Sequence, residues 1–391
     1  MKYQLEINYF LYLLKCAVNN MVPQVPDSTL NWDVIYSFAK SHKVTSTLYF
    51  GICKLPEEYK KEITHMDEYV LSYKKNLVLD ANRTFELQRI EEKLANKNID
   101  YIFLKGSISK KFYIDSSMRP MNDVDVLFRG ADFKTINEIF EDLKYDVAHK
   151  SSKDICYVNP INNVLVEMQP HLIDMGYKDW YQYLEGIWDR STGSDDKPHC
   201  YTMSLEDFYI YHIIHMAKHF LNGGIGIKHF LDLYVMKTND VVPHMDLIDK
   251  TLEDLGLLRF KNTIEKLCLY WFDRKNYFAD GQDVELVTKY ILRGGAFGHI
   301  KNQESSLIAR RGGQKASLLN KIFPSLERMV NYYGEFLGSH KYLLPAYWVR
   351  LNISRLLRYD KNSRKKLKVV NSISDQDVER TRKVLDMCGL I

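Results

Sequence analysis

Residues 99–128 read Ile99-Asp100-Tyr101-Ile102-Phe103-Leu104-Lys105-Gly106-Ser107, then a short amphipathic segment, then Arg119-Pro120-Met121-Asn122-Asp123-Val124-Asp125-Val126-Leu127-Phe128. The apolar run Tyr101–Leu104 stops at Gly106-Ser107, the pattern of a buried strand that ends in a tight turn. Polar and apolar residues then alternate at helical spacing to Tyr113, with Ser107 placed to cap that short helix. A second strand is predicted from Asp123 to Phe128. Side chains on a strand alternate faces, so Asp123 and Asp125 share one face while Val124 and Val126 turn into the sheet. Two neighbouring carboxylates repel each other unless a cation lies between them, and oxygen ligands at this spacing suit Mg²⁺.

Outward from this stretch the periodicity changes on both sides. Upstream, Leu5, Tyr9, Leu11, Tyr12 and Leu14 recur at helical intervals. A second helix is expected from Asn31 to His42, and a long one over Tyr73–Asn98 that packs through Leu77, Leu79, Phe85, Leu87, Ile90 and Leu94. Downstream, Ala131–Leu143 reads as a helix and Tyr145–His149 as a strand. Ile155–Val158 and Val164–Met168 flank Asn159-Pro160-Ile161-Asn162-Asn163 as the arms of a hairpin. The second arm carries Glu167, a lone acid in an apolar strand. From about Tyr177 the pattern returns to helix: Leu205–Leu221, Lys228–Lys237, Met245–Phe272, Val284–Arg293, Leu318–Phe336, Ala346–Arg358 and Asp375–Met387, with Gly294–Lys315 read as a loop. The expected architecture is therefore α+β. A small mixed sheet over 96–175 is flanked by an N-terminal helical region, 1–95, and a C-terminal one, 176–391.

Composition sets the outer limits. At 391 residues the chain is long enough for two or three domains. Lysine plus arginine number 54 against 50 acids, so bulk charge does not favour a long nucleic acid. Any phosphate binding should be local. The six cysteines are scattered without metal-finger or CxxC spacing and read as reduced thiols of a cytoplasmic chain. Tyr9–Val18 is apolar but is preceded by Glu6 and interrupted by Lys15, so it reads as a core helix rather than a signal peptide, and no stretch approaches a membrane span.

Gly-Ser at a strand end, Asp-x-Asp on the next strand and a third acid on a later strand of one sheet resemble the nucleotidyltransferase superfamily. Leu104-Lys105-Gly106, Tyr113, Arg119-Pro120-Met121 and Asp123-Val124-Asp125 are similar to the uncharacterised nucleotidyltransferase family 5. Ile322-Phe323-Pro324-Ser325, Leu343-Leu344-Pro345 and Arg350 are similar to that family's C-terminal pattern. The resemblance implies a metal-dependent enzyme that moves a nucleoside monophosphate from an NTP, such as ATP, to a hydroxyl-bearing small molecule. Asp123, Asp125 and Glu167 would be the catalytic carboxylates and the ligands of two Mg²⁺ ions. Lys105, Gly106, Ser107 and Arg119 would hold phosphate oxygens, helped by the amides at the start of the short helix, with Lys110 and Lys111 as further nearby cations. The family commonly has histidine two residues after the third acid, whereas here Gln169 stands there and the histidine is His171.

His212, His215 and His219 share one helix face. One straight helix rarely wraps Zn²⁺, so a polar face toward the cleft is the stronger reading, with His215 and His219 contacting nucleotide or acceptor. Lys228 and Asp232 are nucleotide contacts by resemblance, and an i,i+4 ion pair by spacing alone. Two other readings stay open. One is transfer to tRNA or to a protein, for which the basic run Arg358, Lys361, Arg364, Lys365, Lys366 and Lys368 gives a local patch. The other is a non-catalytic nucleotide-binding protein that has kept the fold.

Overall fold

The apolar run beginning at Tyr101 forms an inner strand of one mixed sheet in a computed structural model whose described residues are 3–239, 242, 244–275, 282–295, 300–310, 319, 322–357 and 372–391. The strands are β1 (Asp100–Phe103), β2 (Asp123–Arg129), β3 (Asp146–Lys150), β4 (Ile155–Val158), β5 (Leu165–Gln169), β6 (Thr192–Gly193) and β7 (Cys200–Thr202). Their order across the sheet is β3-β4-β5-β2-β1-β7-β6. β2 pairs antiparallel with β1 and parallel with β5, and β4 runs antiparallel to β5. Helices precede and follow the sheet, so the α+β arrangement is as expected.

The β4–β5 hairpin turns where asparagine chemistry allows it. Asn159 Oδ1 accepts from the Ile161 amide, Asn162 Oδ1 accepts from the Val164 amide, and Asn163 adopts φ 58°. The small β6–β7 hairpin lies in a stretch read as helical. With strands of two and three residues it falls below the length at which alternation can be recognised. A second correction concerns Gly294–Lys315, which is not all loop: Ile300–Arg310 is a helix. Its buried side includes Ile308 and Ala309 but also Ser305 and Ser306, which break the hydrophobic stripe. A third is the expected helix Met245–Phe272, which is two helices, Met245–Asp254 and Leu258–Phe272, parted at Gly256 with φ +69°. The basic run from Arg358 to Lys368 lies outside the described residues.

The sheet separates two cores. On one face Val124, Val126, Phe128, Val166 and Met168 pack with Ile90 and Leu94 and with Ile136, Ile139 and Phe140 of the helix Phe133–Asp142. On the other, Ile102, Leu104 and Leu127 join a larger cluster built from the N-terminal helices and from Leu205–Leu221, Lys228–Thr238 and Leu258–Phe272. The faces alternate along β2, so Asp123 and Asp125 share the side of Leu127 and look toward that second layer of helices.

The long N-terminal helix runs from Met66 to Asn96, starting before the expected Tyr73. Its buried stripe differs from the apolar one expected. Leu77 and Phe85 are exposed, while Asn76, Arg83 and Glu86 are buried between Tyr69 and Ile90. Glu86 accepts from the Tyr145 hydroxyl and from Asn162, and the other two work on the loop before β2. Asn76 Nδ2 donates to the Ser117 carbonyl at 2.7 Å and Arg83 Nη2 donates to the Met121 carbonyl. From the helix Thr45–Ile52, Thr47 Oγ1 donates to the Met118 carbonyl at 2.6 Å. A loop with buried carbonyls needs such donors, because each carbonyl left bare costs roughly 1–3 kcal/mol.

Candidate active site

The parallel ladder between β2 and β5 sets Asp125 directly opposite Glu167 and Asp123 opposite Leu165. Paired residues in a ladder point to the same side, so all three acids emerge on one face. They line a single cleft of about 360 Å³, closed on the far side by His215, Lys218 and His219 and by the turn from Ile225 to His229. Lys105, Gly106, Arg119 and Lys228 line it as well, together with Lys43, Asp154 and Gln169, which the sequence reading did not pick out. Lys218 was within reach of that reading, since it sits on the His215/His219 face. Lys43 and Asp154 leave no sequence signal, because each arrives from a separate turn.

Acids and bases crowd the cleft together, and the carboxylates feel it most. Lys105 bonds Asp125 through its ammonium. Burial alone would lower the Lys105 pKa, but the Asp125 carboxylate holds it above the usual lysine range. Asp125 itself is only 7% exposed, and burial raises its carboxyl despite Lys105, with Asp123 adding to the rise. Burial, then Asp125, pushes Glu167 up to about 7. Three carboxylates on one face, only one of them paired to Lys105, form an oxygen donor set that fits a divalent cation such as Mg²⁺.

Other expected binding residues are placed differently from one another. Arg119 reaches the cleft wall, but its Nε and Nη2 bond the two oxygens of Asp232 at 2.6 and 2.7 Å, and Nη1 donates to the Pro120 carbonyl. Tyr113 donates its hydroxyl to the same Asp232 at 2.8 Å. Asp232 is absent from the cleft lining, and its ionic partner is Arg119 rather than Lys228. Lys228 makes no hydrogen bond or ion pair among the described residues, and burial, with Arg119 nearby, lowers its ammonium to about 8.

Ser107 does not cap the short helix Gly106–Ser109. Its hydroxyl is buried without a hydrogen-bond partner, and it is not part of the cleft lining. The amides of Ser107, Ile108 and Ser109 are already bonded to the carbonyls of Leu104 and Lys105. Gly106 has a packing reason to be glycine: a Cβ there would meet Met121 Cγ at 2.9 Å. Lys110 pairs with Asp80 at 2.8 Å.

His215 and His219 both face the cleft with ring centroids 4.4 Å apart. Burial, then their charged neighbours, lowers both pKa values, His219 to about 3, so at neutral pH they offer uncharged imidazoles. His212 turns away and bonds the His229 carbonyl through Nε2. His212, His229 and Asp232 do bring ligand atoms within 4.8 Å of one another. That group does not fit a cation, because Arg119 and Tyr113 already hold the Asp232 carboxylate. His171 lies outside the main cleft and bonds Glu185 at 2.8 Å. All six cysteines are free thiols. Among the described residues no helix is long and apolar enough to cross a membrane.

The chain belongs to the family described as uncharacterised nucleotidyltransferase, whose model matches residues 28–273. Membership makes nucleotidyl transfer its general activity and an NTP its substrate. No curated protein and no solved structure matches the chain.

Proposed function

We propose that the protein transfers a nucleoside monophosphate from an NTP to a hydroxyl of a small-molecule acceptor in the cytoplasm, releasing pyrophosphate, with Mg²⁺ held by Asp123, Asp125 and Glu167. The observation that carries this reading is the convergence of those three acids, from two paired strands, on one walled cleft. Bound Mg²⁺ would neutralise the triphosphate and make the acceptor hydroxyl a better nucleophile. Asp123 and Asp125 would hold the ion on the triphosphate, and Glu167 would share a second with them.

The chain's own groups supply position and charge, which is most of what phosphoryl chemistry asks of a protein. Lys105 holds Asp125 on the cleft face, and Lys228 gives phosphate oxygens a cation that has no partner among the described residues. Arg119 and Asp232 act together on the loop that leads into the aspartate strand β2, while His215 and His219 offer neutral donors and acceptors to base or ribose. In the transfer a bond forms between the acceptor oxygen and the α-phosphorus as the bond to the pyrophosphate oxygen breaks. The hydroxyl proton goes to a cleft carboxylate or to solvent.

Titration calorimetry with MgATP and MgGTP tests the ligand assignment. Asp125→Asn should bind at least tenfold more weakly than wild type; equal binding would show that the aspartates do not hold the metal. Asp123→Ala should lower turnover by roughly 10²–10³ or more, whereas Ser107→Ala should leave it within about twofold because that hydroxyl lies off the cleft. Strong labelling of RNA from [α-³²P]NTP, lost in Asp123→Ala, would replace the small-molecule acceptor with tRNA or another nucleic acid.

A further inference from the structure

Beside the main cleft, on the β5 side, lies a second cavity of about 280 Å³, at the small end of ligand pockets, which are roughly 300–1,000 Å³. Asp154, Gln169, Leu172 and Lys218 line both, so the two spaces adjoin. Gly106 stands at the end of β1 and Glu167 on β5, with the aspartates of β2 between them. The side cavity therefore opens beyond Glu167, on the flank away from Gly106. Val330 and Gly334 from the C-terminal region contribute to its wall.

Most polar groups around it are already satisfied within the protein. Lys153 pairs with Asp174, Ser151 Oγ donates to Asp154 at 2.8 Å, and His171 is bonded to Glu185. Two groups at the junction are not. Gln169 is 8% exposed and its Nε2, beside the equally unpartnered hydroxyl of Tyr211, makes no well-formed hydrogen bond, a costly state for a buried amide. Lys218 makes no hydrogen bond or ion pair among the described residues, and burial lowers its ammonium pKa. Both leftovers are donors. A ligand that satisfies them brings acceptor atoms, and one that suits a lysine brings negative charge.

We propose that this side cavity is the acceptor subsite, and that the acceptor is a small hydroxylated anion whose carboxylate or phosphate is held by the Gln169 amide and the Lys218 ammonium while its hydroxyl faces Glu167. This deepens the transferase reading and rests on it. It also gives a task to Gln169, which lies two positions along β5 from Glu167 on the same face.

Two measurements test it. Crystals soaked with D-glycerate and, separately, with glycerol 3-phosphate should show the anionic group on Gln169 and Lys218, and the better-occupied probe distinguishes carboxylate from phosphate. Probe density confined to the main cleft, or found nowhere, overturns the proposal. In the second, [α-³²P]NTP is offered with a small-molecule cell extract split by ion exchange into anionic, neutral and cationic fractions. The anionic fraction should carry the labelling. Gln169→Leu and Lys218→Met should reduce it at least tenfold while MgNTP affinity changes less than about twofold. Gln169→Glu, which keeps the shape and places a carboxylate against the ligand, should reduce it further. Labelling from the neutral fraction, or variants that lose NTP affinity as much as labelling, would assign these groups elsewhere. If the wild type binds no MgNTP while the probe anions still sit on Gln169 and Lys218, the transferase reading fails and the anion site stands.

Discussion

Arg119 sits on a loop that would leave it in water, and Asp232, 113 residues later, takes it out of water through a two-pronged bond. Both side chains are almost fully buried, with Tyr113 closing the third side. A pair of this kind is weak evidence for net stability but is expensive to break by halves, because the survivor keeps its charge in a poor solvent. Asp232→Asn should therefore cost about 3 kcal/mol in urea unfolding. The double variant Arg119→Met with Asp232→Leu should recover at least half of that. Equal loss in the two would show that the residues matter separately rather than as a pair. Sequence alone could list Arg119 and Asp232 as charged candidates for a nucleotide pocket, but it could not see that each is the other's main partner.

At the scale of elements, the helix Met66–Asn96 divides what sequence can and cannot say. Its helicity was plain, being free of glycine and proline with apolar residues recurring along it. Its packing face was legible only in part: Leu79, Leu87, Ile90 and Leu94 pack as expected, but Asn76, Arg83 and Glu86 are buried where Leu77 and Phe85 are exposed. Hydrophobic periodicity assumes that buried means apolar, and here burial follows the carbonyls of the loop before β2. Asn76→Leu should cost about 1–3 kcal/mol, since the Ser117 carbonyl loses its donor, and should weaken MgATP binding. Leu77→Gln, one residue on and exposed, should stay within about 0.5 kcal/mol in the same unfolding assay. The reverse ranking would restore the apolar face as the packing face. The aspartate strand and the Glu167 hairpin were legible because strand alternation and turn asparagines are local signals. The short β6–β7 hairpin and the cleft contributions of Lys43, Asp154 and Gln169 were not, since they depend on which segments meet.

For the whole molecule, His42 ties the N-terminal helices to two distant segments of the chain. Its Nδ1 accepts from the Ile227 amide and its Nε2 donates to the Leu292 carbonyl, so only the neutral ring satisfies both. Burial lowers its pKa from 6.5 to about 4. The unfolded chain thus binds the proton more readily than the folded one. Stability is fully present above pH 6.5 and is lost as pH falls through about 4, by at most about 3 kcal/mol at ~1.36 kcal/mol per pH unit. The melting temperature should fall steadily on acidification across that window, and less steeply in His42→Gln. A parallel fall in the two proteins would move the effect to other groups.

The pinning of the loop before β2 also bears on when the protein can act during its own synthesis. A growing chain holds all three carboxylates once Glu167 has been made, yet the Asp232 that fixes Arg119 is still unmade. At roughly 5–20 residues per second the interval lasts several seconds. For that time the ribosome carries a chain with the three cleft acids but without the Arg119–Asp232 pair that fixes the loop before them. The cleft is complete only after the helix Lys228–Thr238 has left the exit tunnel and docked.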